Sequence, residues 1–249
     1  MKRRELYPRL VRWSCEGPGL RQAARNYEVS HSTVQRHLAR AGRAALVFQS
    51  VQRRGHRIVE PVVIDGFESF EYSQYFPYHL NLAVGAESWF VYGLTDSPLR
   101  RKGRMTAAQK RRRAALEAFL GRPDPRAVEE GVVALLRGLL ASGEAPDPPL
   151  SRFLLRSDDH PAYRRARRRV EGSLGVRIEH QITSSRARRT RGNPLFPVNL
   201  ADLLLRHGQA NHRRETIAFS KRRQGAISRA ALFLFWRNYV KRRRENRGG

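Results

Sequence analysis

Apolar residues along this chain fall first at helical spacing and later in short unbroken runs. Leu6, Leu10 and Trp13 lie at helical intervals until Gly17-Pro18-Gly19 breaks the chain. From Leu20 to Arg40 the pattern predicts helix, tight turn, helix: Ala23, Ala24 and Tyr27 pack, Val29 fills the turn, and Val34 and Leu38 pack one turn apart. Ser30 or Ser32 is placed to cap the second helix. Residues 5–46 therefore read as a small helical unit, and the polar stretch 49–57 as a basic linker.

Beyond Ile58 the runs shorten. Val62–Asp65 predicts a buried strand, and His79–Gly85 with Ser88–Thr95 a hairpin around Ala86-Glu87. Two helices follow: one opens on the capping box Thr106-Ala-Ala-Gln109, the other on Asp124-Pro125 and stops near Gly143. The second presents Val128, Val132, Leu135, Leu136 and Leu139 on one face. Ala145-Pro-Asp-Pro-Pro149 reads as a linker. A strand Phe153–Arg156, a helix Pro161–Arg169 and a strand Val176–Ile182 come next. A basic loop 184–197 and helices Val198–His212 and Gln224–Arg243 complete the series. Three strands, a helical insertion at about 97–150, then strand–helix–strand–helix predict an α/β fold, a mixed sheet flanked by helices.

Charge changes what this fold is expected to meet. Lys and Arg number 49 against 22 Asp and Glu, a net charge of +27. Such an excess points to a phosphate polymer or an anionic membrane. No apolar run approaches the ~20 residues of a membrane span, and the start Met-Lys-Arg-Arg-Glu-Leu-Tyr-Pro lacks a secretory apolar stretch. Nucleic acid is the expected partner, with no membrane. Cys15 is the single cysteine, so no internal disulfide or cysteine zinc ribbon forms, and an intracellular protein is expected.

Against that charge two acids stand out. Asp65 follows Val62-Val63-Ile64, and Asp158 follows Phe153-Leu-Leu-Arg-Ser157. Carboxylates at the ends of buried strands suit a pair of divalent ions placed for in-line phosphoryl displacement. Taken singly, Asp65 also fits a turn residue before Gly66, and Asp158 a cap for the helix at Pro161. Asp159 is a rival to Asp158. His160 fits a local cap better than a chemical role.

Together Val-Val-Ile-Asp65-Gly-Phe-Glu68, Arg156-Ser-Asp158-Asp-His-Pro-Ala-Tyr163, the helix from Asn199, and Arg214-Glu-Thr-Ile-Ala-Phe-Ser-Lys-Arg222 resemble an insertion-sequence transposase of the DDE superfamily. The resemblance implies an RNase H-like catalytic domain over 58–249 with a basic C-terminal tail. It makes residues 1–48 a helix-turn-helix DNA-binding domain, in which Thr33, Gln35, Arg36 and Arg40 face a major groove; an ordinary helical hairpin is the plainer alternative. It assigns metal binding to Asp65 and Asp158, with Mg²⁺ or Mn²⁺ as cofactor. The family's third acid falls at or near Asn199, a neutral side chain. Asp202, one helical turn on, is the charged replacement, alone or with Asn199; Glu215 ranks behind both. Arg188, Arg189, Arg206, Lys221 and Arg222 are expected to grip the phosphate backbone. The implied function is divalent-metal-dependent cleavage and transfer of DNA strands by a homo-oligomer on transposon ends and target DNA, in a bacterial cytoplasm at the nucleoid. The alternative is a DNA-binding protein without catalysis, a decayed transposase or a regulator.

Overall fold

A computed structural model of the chain describes residues 5–54, 57–140, 153–213 and 216–241. The expected helix stop at Gly143, the linker 145–149, Glu215 and the tail beyond Lys241 lie outside these residues. In chain order the helices are α1 (Leu6–Cys15), α2 (Leu20–Asn26), α3 (His31–Arg53), α4 (Ala107–Leu120), α5 (Ala127–Leu140), α6 (Pro161–Leu174), α7 (Phe196–Gly208) and α8 (Arg223–Phe235). The strands are β1 (Val62–Phe70), β2 (Pro77–Gly85), β3 (Val91–Pro98), β4 (Phe153–Ser157) and β5 (Ile178–Ile182).

The chain divides into two units. One gathers Arg53–Leu203 and Ser220–Arg223. The other gathers the first 52 residues, Leu204–Phe219 and the chain from Gln224 onward.

The first of these is built on a five-stranded sheet in the order β3-β2-β1-β4-β5. β2 runs antiparallel to both neighbours, while β1, β4 and β5 are mutually parallel. That order, from three sequential strands followed by two strands reached through helices, is an RNase H-like sheet. The apolar face of α5 packs on β2 and β3 and against α6. Its core holds Val62, Ile64, Val132, Leu136, Leu155, Tyr163 and Val170. Glu129 on α5 is buried, and Arg165 and Arg169 of α6 donate to it at 2.6 and 3.1 Å. Those guanidiniums hold its carboxyl below the usual range, which satisfies a charge that burial alone would penalise.

Several boundaries of this sheet change; β2 opens at Pro77, not His79, and β3 spans Val91–Pro98, not Ser88–Thr95. β1 does not stop at Asp65; it runs on through Gly66 to Phe70, paired residue by residue with β2 from Val62↔Gly85 to Phe70↔Pro77. Gly66 is a strand glycine, not a turn: a Cβ there would sit 1.8 Å from the Leu80 carbonyl oxygen. β5 starts at Ile178, two residues later than the apolar run suggested. The capping box holds, with Thr106 Oγ1 accepting from the Gln109 N–H at 3.2 Å and Gln109 Oε1 from the Thr106 N–H at 3.0 Å. Yet α4 has no buried residue; polar contacts tie it to the preceding segment, Arg100 forking onto Glu117 at 2.8 and 2.9 Å and Arg113 donating to the Arg101 carbonyl at 2.9 Å.

The helical unit packs α1, α2 and α3 around Leu6, Leu10, Ala23, Val34, Leu38 and Ala45, and Leu232 of α8 joins the same core. The turn between α2 and α3 uses Glu28 at φ 50°, and Ser30 Oγ accepts from the Thr33 N–H at 3.1 Å. Helix α3 does not end before residue 49. It continues to Arg53 with Gln49 buried, because nothing from His31 to Arg53 breaks a helix except Gly42. That glycine is a contact: a Cβ would meet the Ser228 carbonyl oxygen of α8 at 2.2 Å. After α8 comes one turn of π-helix, Trp236–Val240. Phe48 meets Phe235 and Tyr239 edge-on at 5.3 and 5.1 Å between ring centroids.

Candidate active site

The parallel register of β1 and β4 sets the site. Val62 pairs with Leu155 and Val63 with Arg156. Followed two residues further, the same register brings Asp65 level with Asp158, just past the end of β4. The Asp65 carboxyl lies above its ordinary range through burial and, secondarily, through the charge of Asp158, against the opposing pull of the Gly66 N–H, His79 and Arg189.

Tyr163 sits beneath this pair. It is on the first turn of α6, fully buried, and its hydroxyl donates to Asp65 Oδ1 at 3.4 Å. Burial holds the phenol well above its ordinary range, reinforced by Asp65, Asp158 and Asp202. Asp202 on α7 thus shares the field at one hydroxyl with both strand acids. Asn199, one turn earlier on α7, is half-buried. Among the described residues no group of three or more His, Cys, Asp or Glu side chains is arranged to hold a metal ion. The fold supplies a carboxylate pair and a third charge near their common tyrosine.

Two histidines border the acids. His160 caps α6, its Nδ1 accepting from the Ala162 N–H at 3.3 Å, and its own N–H donates to Asp158 Oδ1 at 2.9 Å. Asp158 therefore orders the turn into α6 and leaves its other oxygen outside that bond. Asp159 is exposed and held below its ordinary range by Ser185. His79 on β2 is a residue that the apolar pattern did not mark. Its ring is kept below the ordinary histidine range by burial, opposed by Asn81, Asp65 and Glu68. Nδ1 lies 2.8 Å from Asn81 Oδ1, and fully buried Asn81 donates on to Thr95 Oγ1 and Ser97 Oγ at 3.2 and 3.1 Å. Thr95 in turn donates to the Gly131 carbonyl at 2.8 Å. Since Asn81 Oδ1 only accepts, His79 carries its proton on Nδ1, and Nε2 is left as an acceptor. The strand alternation that buries Leu80 and Leu82 on one face fixes His79 and Asn81 on the other.

The basic residues separate. Arg188 and Arg189 are exposed on the loop before α7, with the Arg188 carbonyl held by Asn193 Nδ2 at 2.8 Å. Arg189 is near enough to Asp65 to act on its ionisation. Lys221 and Arg222 are exposed just ahead of α8. Arg206 is half-buried in the helical unit. On α3, Gln35, Arg36 and Arg40 are exposed, while Thr33 is half-buried with its hydroxyl 2.8 Å from Ser30 Oγ.

A mixed sheet of this order, with one acid midway along β1 level with another just past the end of parallel β4, has the RNase H-like arrangement. Among solved structures the chain is similar to the integrase catalytic core domain of HTLV-2 in complex with magnesium, in its dimeric form: 11% identity, 74% of this chain and 86% of that one, TM-score 0.30. It is also similar to a chain of the simian T-cell lymphotropic virus intasome in complex with the PP2A regulatory subunit B56 gamma. There the identity is 16%, the coverage 78% of this chain and 60% of that one, and the TM-score 0.30. No protein-family model matches the sequence, and no curated protein matches it. Among the described residues no helix is long and apolar enough to cross a membrane.

Proposed function

We propose that this chain is a divalent-metal-dependent polynucleotidyl transferase that cuts and joins DNA strands, and in particular a transposase of the DDE type acting at insertion-sequence ends. The observation that carries the reading is Asp65 level with Asp158 across β1 and β4, where burial and the charge of Asp158 raise the Asp65 carboxyl. Two carboxylates held this way fit a hard cation, because a positive charge between them relieves both burial and repulsion. Asp65 and Asp158 would hold Mg²⁺ or Mn²⁺, and Asp202, rather than neutral Asn199, would add the third negative charge. When bound, such ions supply Lewis-acid stabilisation of the attacking and leaving oxygens of a phosphodiester.

The chain's own residues do the rest. Tyr163 fixes the Asp65 carboxylate by its hydroxyl and excludes water from beneath it. Gly66 lets β1 approach β2 closely enough to hold Asp65 at that position. His79, oriented by Asn81, keeps Nε2 as an acceptor on the sheet face opposite Leu80 and Leu82. Arg188, Arg189, Lys221 and Arg222 would hold the phosphate backbone, and α3 would enter the major groove with Gln35, Arg36 and Arg40. Duplex DNA, a homo-oligomer on it and a cytoplasmic setting belong to this reading.

The test is cleavage of a labelled duplex with Mg²⁺ or Mn²⁺ by wild type, Asp65→Asn, Asp158→Asn, Asp202→Asn and Asn199→Glu. Asp65→Asn and Asp158→Asn should fall to background and Asp202→Asn well below wild type, each with DNA binding kept. Cleavage surviving in Asp65→Asn defeats the assignment. Tight DNA binding with no cleavage by wild type or Asn199→Glu leaves the reading of a DNA-binding protein without catalysis.

A further inference from the structure

A second surface on the sheet unit lies outside the acid pair. The β1–β2 hairpin tip and helix α4 enclose an open groove of about 570 Å³. Tyr72, Tyr75, Phe76, Leu116, Phe119 and Leu120 line it, together with Arg112 and with Glu71, whose carboxylate is taken up by Arg223. Its aromatic faces are not packed away: Tyr72 is 71% exposed and Phe119 86%. Phe119, on a helix with no buried residue, and Tyr72, at the strand tip, are too exposed to belong to a core.

The tip is built to hold its rings out. Tyr72 adopts φ 56°, a left-handed backbone that disfavours a bulky residue. The turn around it is closed by the Glu71 N–H to Phe76 carbonyl at 3.1 Å and the Phe76 N–H to Ser73 carbonyl at 3.0 Å. Glu71 is tied down in turn by the Arg223 N–H at 2.7 Å. The Arg101 guanidinium lies 4.4 Å over the Tyr75 ring and donates to Gln74 at 3.0 Å.

Charge selects the occupant. Between residues 100 and 113 the sequence has eight Lys and Arg and no acid. Among the described residues only Arg100 and Arg113 of these pair with a carboxylate, both with Glu117. Aromatic faces set among guanidiniums suit a polymer that offers flat rings and phosphates together. A duplex hides its base faces; an unpaired strand exposes them.

We propose that the groove between the β1–β2 tip and α4 binds single-stranded DNA, with bases stacking on Tyr72 and Phe119 and phosphates held by Arg112 and its basic neighbours. The site requires neither the acid pair nor a metal, so it is testable apart from strand cleavage.

The experiment is anisotropy of a fluorescein-labelled oligo-dT and of a matched duplex, with full-length protein in chelator, across a salt series. Tyr72→Ala and Phe119→Ala should each weaken oligo-dT binding by about tenfold at every salt concentration. They should leave duplex binding unchanged. Arg112→Gln should flatten the salt slope by about 0.7, the value for one phosphate contact on a single strand. Phe119→Trp should keep the affinity, with its emission quenched as oligo-dT is added. Unchanged oligo-dT affinity in both alanine variants overturns the proposal, as does an equal loss on duplex. So does a wild-type dimer that Tyr72→Ala dissolves while oligo-dT affinity stays the same, since the groove would then seat a second copy of the chain.

Discussion

At the scale of single residues, burial decides which groups carry consequences. His212 lies in the turn of 3₁₀-helix Ala210–His212, buried in the helical unit. Burial first, then the charges of Arg229 and Arg206, push its imidazole down to about 3. An unfolded chain takes up that proton near pH 6.5, so protonation favours unfolding throughout the interval between. The stability contribution is complete above pH 6.5 and lost as pH falls towards 3, at up to ~1.4 kcal/mol per pH unit. Urea midpoints at pH 7 and pH 5 should therefore differ more for wild type than for His212→Gln; equal differences in the two would remove His212 as the cause. The sequence made both strand acids visible, because each follows an apolar run. It could not make His79 visible, since one histidine on a strand looks like any other until β2 is laid beside β1. Nor could it reveal that the Tyr163 hydroxyl meets Asp65, a relation made by packing α6 on the sheet.

At the scale of elements, apolar patterning was a reliable guide where a face is buried and a poor one where it is not. α5 was legible from Val128, Val132, Leu135, Leu136 and Leu139 because those residues form the core side of the sheet. Helix α4, of the same length, was legible only from its cap. The two should respond differently to truncation of a side chain. Leu136→Ala, at a fully buried position, should cost about 2–5 kcal/mol. Phe119→Ala should change stability by less than about 0.5 kcal/mol. Urea denaturation of the two variants checks the contrast, and a large loss in Phe119→Ala would mean α4 is packed after all. The misread boundaries have physical reasons too. Gly66 looked like a turn because glycine usually breaks strands, yet here it allows a backbone contact. The stretch after residue 48 looked like a linker because it is polar, though its residues are able helix formers and the helix runs on to Arg53.

At the scale of the whole molecule, the charge of +27 predicts tight, salt-sensitive binding of duplex DNA. If α3 carries part of it, Arg36→Ala and Arg40→Ala should each lower the slope of log affinity against log salt by about 0.9. Slopes identical to wild type would place the contacts elsewhere. Point substitutions are the right tool, because the helical unit is not the N-terminal segment alone: Leu232 of α8 lies in one core with Leu6, Val34 and Leu38. That arrangement governs how the protein is born. A ribosome makes α1–α3 before α8, with the sheet unit's chain emerging between them. At ~5–20 residues per second, the early helices wait for tens of seconds with the seat for Leu232 open to solvent. Premature termination anywhere before α8 leaves that seat unfilled, so shortened translation products should be caught by chaperones and proteases even when their sheet has folded.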